Sequence, residues 1–100
     1  MRRRPDVTLT QLRYFVKAAT YSSMTKAADE LHIAQSAVSA AVSQLEQQIG
    51  TRIWQREGRS LQLTSAGRYL LSLAQRLLPQ LEHAEHVLGQ IAATGKGGEP

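Results

Sequence analysis

The stretch from Ser23 to Thr64 constrains the fold more than any other part of this chain. Its first half contains two short amphipathic helical patterns, separated only by a break at His32 and Ile33. Its second half contains two short strand-like runs on either side of Glu57-Gly58-Arg59. Two helices joined by a tight turn and followed by a hairpin predict a winged helix-turn-helix.

Three helices are predicted before Gly50, because apolar residues recur at helical intervals. Thr8 and Gln11 have the spacing of a capping box, and Ser23 is a suitable N-cap for the second helix. The third helix is expected to begin near Gln35 and to end at the glycine. The predicted helices span about 9–19, 24–31 and 35–49. The expected buried positions are Leu9, Leu12, Phe15, Val16 and Ala19, then Met24, Ala27, Ala28 and Leu31, then Val38, Val42, Leu45 and Ile49.

The hairpin after the third helix is predicted to form a small wing, with strands over about 52–56 and 60–63. Arg56 and Arg59 are expected to project from it towards a partner. The residues expected to face the core are Ile53, Leu61 and Leu63, with Trp54 at the core edge.

A long last helix is predicted from about Ser65 to Ala93, with apolar residues at alternating steps of four and three. Such heptad spacing is typical of a helix that pairs with another, so we expect a homodimer through this surface. Pro79 interrupts the pattern and is expected to kink the helix, since an interior proline costs about 3 kcal/mol. The predicted dimer positions are Leu70, Ala74, Leu77, Leu81, Ala84, Leu88 and Ile91.

The fold class predicted from these elements is all-α with a small β wing. The expected organisation is a winged helix-turn-helix over 1–64, a linker and dimerisation helix over 65–94, and a flexible tail over 95–100. The basic segment at 1–7 is expected to be a solvated arm.

Positive charge accompanies the helix-turn-helix half of the chain. The net charge is +4, and residues 1–68 hold ten of the 12 Lys and Arg residues but five of the 8 Asp and Glu residues. This distribution suits a polyanionic partner. The chain has no cysteine, which excludes disulfides and thiol chemistry, and no apolar run long enough to cross a bilayer. A cytoplasmic protein without a membrane partner is expected.

The third helix has an outer face of small, polar and nearly uncharged side chains. Such a face can approach the base edges of duplex DNA closely, with Gln35 and the serines as hydrogen-bonding groups. A solvated surface is the alternative interpretation, but its place inside a complete helix-turn-helix favours contact with the major groove.

Several short motifs lie between residues 9 and 78 of the chain. They are Leu12-Arg13-Tyr14-Phe15, Ala27-Ala28-Asp29-Glu30-Leu31, Gln35, Ala37, Ser39, Leu45-Glu46, Gly50, Arg52, Arg56 and Leu63-Thr64-Ser65-Ala66-Gly67. In identity and spacing these residues resemble the DNA-binding domain of LysR-type transcriptional regulators. The resemblance implies a linker helix that pairs antiparallel with that of a partner chain, and control of transcription at a near-palindromic operator.

The resemblance also has departures. Ser36 stands where the family often has proline, Ala34 where it often has a capping serine, and Ala40 where an arginine often contacts DNA. Specificity is therefore expected to depend on Gln35, Ser36 and Ser39. Family members usually continue into a larger domain that binds a small-molecule inducer, so this chain is expected to be a DNA-binding fragment without that domain.

Residues and resemblance together predict two groups of DNA contacts. The recognition-helix group is Gln35, Ser36, Ala37, Ser39, Ala40 and Ser43. The wing and backbone group is Arg52, Arg56, Arg59, Arg13 and Lys26.

Three alternative interpretations are weaker. The chain could be a protein-interaction module that works through its heptad helix, or a winged-helix domain of another family, such as the molybdate-responsive regulators. His83 and His86 lie three residues apart between Glu82 and Glu85, but a solvated helix face is favoured over a metal site. No nucleophile and base set or phosphate-binding glycine loop is found, so no catalysis, metal or cofactor is expected.

Overall fold

A computed structural model of the chain describes residues 6–57 and 60–94. The elements in chain order are α1 (Leu9–Tyr21), α2 (Met24–Leu31), α3 (Gln35–Ile49), β1 (Trp54–Glu57), β2 (Ser60–Leu63) and α4 (Ser65–Thr94). This is the predicted winged helix-turn-helix with a long last helix, and the fold class is confirmed. Residues 1–5 of the predicted arm, the wing turn with Arg59 and the tail at 95–100 lie outside the described residues.

The helix ends follow the predicted local signals. The Gln11 backbone N–H donates to Thr8 Oγ1 at 3.1 Å, and the Thr8 N–H donates to Gln11 Oε1 at 2.9 Å, which completes the capping box. Ser23 Oγ accepts from the Lys26 N–H at 3.1 Å and caps α2. The first helix continues two residues beyond the predicted Ala19, because the chain turns only at residue 22.

The core lies where the three short helices meet the hairpin and α4. Phe15 and Ile53 are fully buried, and the rings of Phe15 and Trp54 meet edge to face with centroids 6.1 Å apart. Trp54, expected at the core edge, is 4% exposed and belongs to the core. Ala27 and Ala28 are also buried, and their small side chains let α2 approach its neighbours closely.

Two predicted core positions are wrong. Leu9 is 40% exposed and Ile49 is 38% exposed, because each lies at the outer end of its helix, past the packed layer. Ala18 and Ala41 are buried instead. The other residues expected inside but only partly buried are Val16, Ala19, Met24, Leu31, Leu61 and Leu63.

The hairpin is antiparallel, with Trp54 opposite Leu63, and it leads directly into α4. Thr64 joins the two: its N–H donates to the Ile53 carbonyl at 3.1 Å, and its Oγ1 accepts from the Gly67 N–H at 3.0 Å. A Cβ at Gly67 would overlap the Ile53 carbonyl oxygen. The first turn of α4 therefore packs directly on the backbone that precedes β1.

The first half of α4 packs on its own domain. Ala74 is fully buried and Leu78 is 7% exposed, and both belong to the core. The prediction that Ala74 lies in a dimer interface is therefore wrong, since a fully buried side chain has no surface left for a partner. Leu70 and Leu81 are half-buried. Pro79 lies within the continuous helix and does not end it.

The other predicted seam positions remain open to solvent. Leu77 is 39% exposed, Leu88 is 63% exposed and Ile91 is 50% exposed, and Ala84 is exposed with them. Leu73, which the heptad pattern had not included, adjoins this stripe on the helix and is 36% exposed.

We expect Gly67→Ala to lower the free energy of unfolding by about 3 kcal/mol, because the added methyl group meets a backbone oxygen that cannot move without shifting the core. Gly89→Ala is the matched control, because nothing lies within 4 Å of a Cβ there. That change should stabilise the helix by about 0.5–1 kcal/mol. Urea titration followed by circular dichroism measures both. Equal stability of the two variants would contradict the close packing at Gly67.

Candidate nucleic-acid interface

The outward side of α3 has the composition that the sequence predicts. Gln35, Ser36, Ala40 and Ser43 are exposed, and Ala37 and Ser39 are half-buried. The opposite side packs into the core through Val38, Ala41, Val42 and Leu45. The exposed side carries amide and hydroxyl groups but no charge, so its hydrogen-bonding groups are available to the base edges of a duplex.

A polar concavity of about 410 Å³ lies between the start of α2, the start of α3 and the wing. It brings Gln35 and Ser39 of α3 to the same surface as Arg56 of β1. The residues that line it are Ser22, Ser23, Met24, Thr25, Gln35, Ser39, Arg56 and Leu61. An amide, hydroxyls and a guanidinium in one concave surface can contact base edges and phosphates together. We refer to it as the α2–α3–wing concavity.

The start of α2 is a part of this surface from which the sequence had predicted only Lys26 as a contact. Thr25 and Ser23 line the concavity, and Lys26 is exposed in the same helical turn. The cap at Ser23 is a signal that could have located them, since the residues that follow an N-cap have N–H groups directed out of the helix end.

A second, smaller cavity of about 170 Å³ lies between α3 and β1. Ser39 and Ser43 of α3 line it together with Arg52 and Arg56. The Ser39 hydroxyl donates to Met24 Sδ at 3.3 Å, which orients this side chain between α2 and α3. Two of the predicted wing cations thus lie beside the outer face of the recognition helix.

Arg52 is held in place by an ion pair. Its Nε lies 3.3 Å from Glu46 Oε2, while 74% of the arginine side chain stays exposed. The glutamate side chain is 16% exposed. The guanidinium is therefore tethered on one side and open to solvent on the other, an arrangement that allows a further contact with an anion.

Arg13 is not part of this surface. It lines a groove between α1 and α4 with Lys17 and Leu78, and its Nη1 lies 3.8 Å from Glu82 Oε2. The structure thus separates Arg13 from the α2–α3–wing concavity. Arg59, the remaining predicted cation of the wing, lies outside the described residues.

The recognition helix begins without a side-chain cap. Ala34 occupies the N-cap position with extended backbone angles (φ −71, ψ 144) and no side-chain hydrogen bond. A backbone bond, from the Ala37 N–H to the Ala34 carbonyl at 3.0 Å, closes the first turn. The positive end of the helix dipole is thus uncapped beside the concavity.

Two other kinds of site are absent from the part of the chain that the structure describes. Residues 6–57 and 60–94 contain no cluster of three potential metal ligands. No helix within these same ranges is long and apolar enough to span a bilayer. His83 and His86 are exposed on α4.

Comparison with known families and curated proteins identifies relatives of this domain. A family model for bacterial regulatory helix-turn-helix proteins of the lysR family matches residues 9–68. The RuBisCO operon transcriptional regulator of Allochromatium vinosum is 40% identical over 91 residues, which make up 91% of this chain and 30% of that protein. The regulator CfxR of Cupriavidus necator is also 40% identical over 91 residues, 29% of its length. The chain thus spans about 30% of the length of these relatives.

Solved structures show the same fold. The BenM DNA-binding domain, in a crystal structure with catB site 1 DNA, has a TM-score of 0.81 and 32% sequence identity to this chain. The superposition covers 93% of this chain and 99% of that domain. The likeness therefore includes the three short helices, the wing and the long last helix.

The uncapped start of α3 leads to a stability prediction. Ala34→Ser should raise the free energy of unfolding by about 1 kcal/mol, because the hydroxyl can accept from an N–H of the first turn. Ala34→Val is the control, since it adds volume without an acceptor. Thermal and urea unfolding measure both changes. If serine gives no more stability than valine, the N–H groups in the first turn of α3 already have other hydrogen-bond acceptors.

Proposed function

The chain belongs to the lysR family of bacterial regulatory helix-turn-helix proteins, and we propose that it binds duplex DNA site-specifically as the DNA-binding part of a transcriptional regulator. The observation that carries this proposal is the α2–α3–wing concavity. There Gln35 and Ser39 of the recognition helix share one surface with Arg56 of the wing. Groups for reading bases and a cation for phosphate thus face the same side of the molecule.

The two groups of residues have different tasks in this proposal. Helix α3 enters the major groove, where Gln35, Ser36 and Ser39 select the sequence through base edges. Arg52, Arg56 and the start of α2 with Lys26 contact phosphates and contribute affinity that does not depend on sequence. Ala37 and Ala40 let the helix approach closely, and Ser43 extends the polar face.

We further propose that two copies bind together through the exposed stripe of α4. Leu73, Leu77, Ala84, Leu88 and Ile91 form an apolar surface that one chain leaves uncovered. The antiparallel pairing implied by the family resemblance would bury this stripe. Two recognition helices related by a two-fold axis then read a near-palindromic operator.

The family consists of transcriptional regulators, not enzymes. We propose that the domain acts by binding alone, without cofactor or catalysis, in the bacterial cytoplasm where its DNA target lies. Because the relatives are about three times as long, control of transcription and the response to a small-molecule inducer are proposed for a protein of that length.

Selection from a library of random duplexes tests the function directly. The chain should enrich a near-palindromic sequence, and its affinity for that duplex should fall steeply with salt concentration as counterions are released. A scrambled duplex of the same composition serves as the control. If no duplex is enriched and the chain shows no salt-dependent binding to duplex DNA, the domain is instead a protein-interaction module.

Gln35→Ala should weaken binding to the enriched duplex by roughly 1–3 kcal/mol and leave binding to the scrambled duplex unchanged, because an amide on a base edge carries sequence information. Gln90→Ala, at an exposed position of α4, is the control. Gel-shift titrations with both duplexes measure the effect. Equal losses on the two duplexes would mean that Gln35 contacts the DNA backbone.

Leu88→Asp combined with Ile91→Asp should give a folded monomer, because a dimer would have to bury four unpaired carboxylates. Both side chains are at least half exposed in the single chain, so folding should not suffer. Operator affinity should fall by about 10²-fold or more once the half-sites lose their tether. His83→Asp with His86→Asp, on the same helix, is the control. Sedimentation measures assembly, and a dimer that survives the first pair of changes would exclude this stripe as the interface.

A further inference from the structure

The carboxylate of Glu46 connects the recognition helix to the wing. Its Oε2 accepts from the backbone N–H of Ile53 at 2.9 Å and from that of Trp54 at 3.2 Å. The same oxygen accepts from Arg52 Nε at 3.3 Å. Three consecutive residues of the segment that enters β1 are thus fixed by one oxygen atom of α3.

This connection differs from the other polar contacts of the same segment. Thr64 holds the segment from the opposite side, since its hydroxyl donates to the Arg52 carbonyl at 2.7 Å and its N–H donates to the Ile53 carbonyl. Those bonds join the segment to the start of α4, whereas Glu46 joins it to α3. Among these polar contacts, the carboxylate of Glu46 is therefore the one that fixes the wing relative to the recognition helix.

The direction of β1 determines where the wing meets DNA. Arg56 follows Trp54 by two residues in the same strand and lines the concavity that contains Gln35 and Ser39. A shift where the strand begins would move this guanidinium relative to the recognition helix. One duplex can contact both only when their spacing is kept, and positioning of this kind depends on supporting side chains.

We propose that Glu46 is a positioning residue for DNA binding, which holds Arg56 and Arg52 at the distance from the recognition helix that a single duplex requires. The inference rests on the proposed function and identifies a residue that supports the same site. Glu46 itself is not a DNA contact in this proposal. Its side chain is 16% exposed, its inward oxygen is occupied by three donors, and a carboxylate repels phosphate.

A double-mutant cycle between Glu46 and Arg56 tests the proposal. The probe is the duplex enriched by this chain, and the affinity is measured by fluorescence anisotropy over a series of salt concentrations. In the parent, Arg56→Ala should lower the log–log salt slope by about 0.9, the loss of one phosphate contact. In the Glu46→Ala background the same change should have little further effect on the salt slope. The loss of affinity in the double variant should therefore be about tenfold smaller than the product of the losses in the two single variants, as for coupled residues.

A second cycle and a charge control distinguish a positioning role of Glu46 from a general loss of folding or DNA binding. Glu46→Ala combined with Gln35→Ala should be additive, since core packing and not the glutamate holds the recognition helix. Glu85→Ala removes the same charge from an exposed position of α4, and its cycle with Arg56 should also be additive. Glu46→Gln keeps an oxygen acceptor for the two N–H groups and should restore most of the salt slope.

The outcomes are distinguishable. Glu46→Met keeps the bulk of the side chain without its acceptor, and it replaces the alanine variant if that variant is unfolded by circular dichroism. Coupling to Arg56 with additivity at Gln35 supports the proposal. Additivity in both cycles, while the parent binds its duplex, overturns this inference and leaves the proposed function intact. A parent that binds no duplex overturns the proposed function itself, and this inference with it.

Discussion

The short segment 52–54 is held from three directions, and the arrangement of the recognition helix, the wing and the last helix depends on it. Glu46 binds its N–H groups from α3, and Thr64 binds its carbonyls from the start of α4. The side chain of Ile53 is fully buried in the core. Gly67 leaves room for the first turn of α4 to lie directly on this backbone. Because the contacts are short and converge on three residues, recognition helix, wing and last helix form one packed unit.

The local signals of the sequence predicted the helices well, but the choice of inward face was less accurate. Capping groups at Thr8 and Ser23 act over three or four residues, so their outcome can be read from neighbouring residues alone. Whether Ile49 or Ala41 is buried depends on where α3 leaves the core, which is a property of the packing. Similarly, the heptad pattern of α4 contains two adjacent stripes. The pattern could not show that Ala74 faces the molecule's own core, because this depends on how α4 leaves the wing.

The candidate site also contains residues whose positions the sequence could predict and residues whose positions it could not. The polar face of α3 follows from helical periodicity, so its exposed members, such as Gln35 and Ser36, could be predicted from the sequence. Arg13 could not be placed, since its ion-pair partner Glu82 lies on a helix much further along the chain. The contacts of Glu46 could not be predicted from the sequence, because its hydrogen-bond donors include backbone N–H groups, which every residue except proline supplies.

The last helix combines two tasks that place a geometric condition on the proposed dimer. Its first half is fixed to the domain through Ala74 and Leu78, while its second half exposes Leu88 and Ile91. A helix of 30 residues is about 45 Å long, whereas successive major grooves on one side of DNA are about 34 Å apart. An antiparallel pair with overlapping distal halves would therefore hold the two recognition helices at least one helical turn apart. In the proposed dimer, the packing that fixes the first half of α4, at Gly67, Ala74 and Leu78, would therefore also determine the spacing of the half-sites.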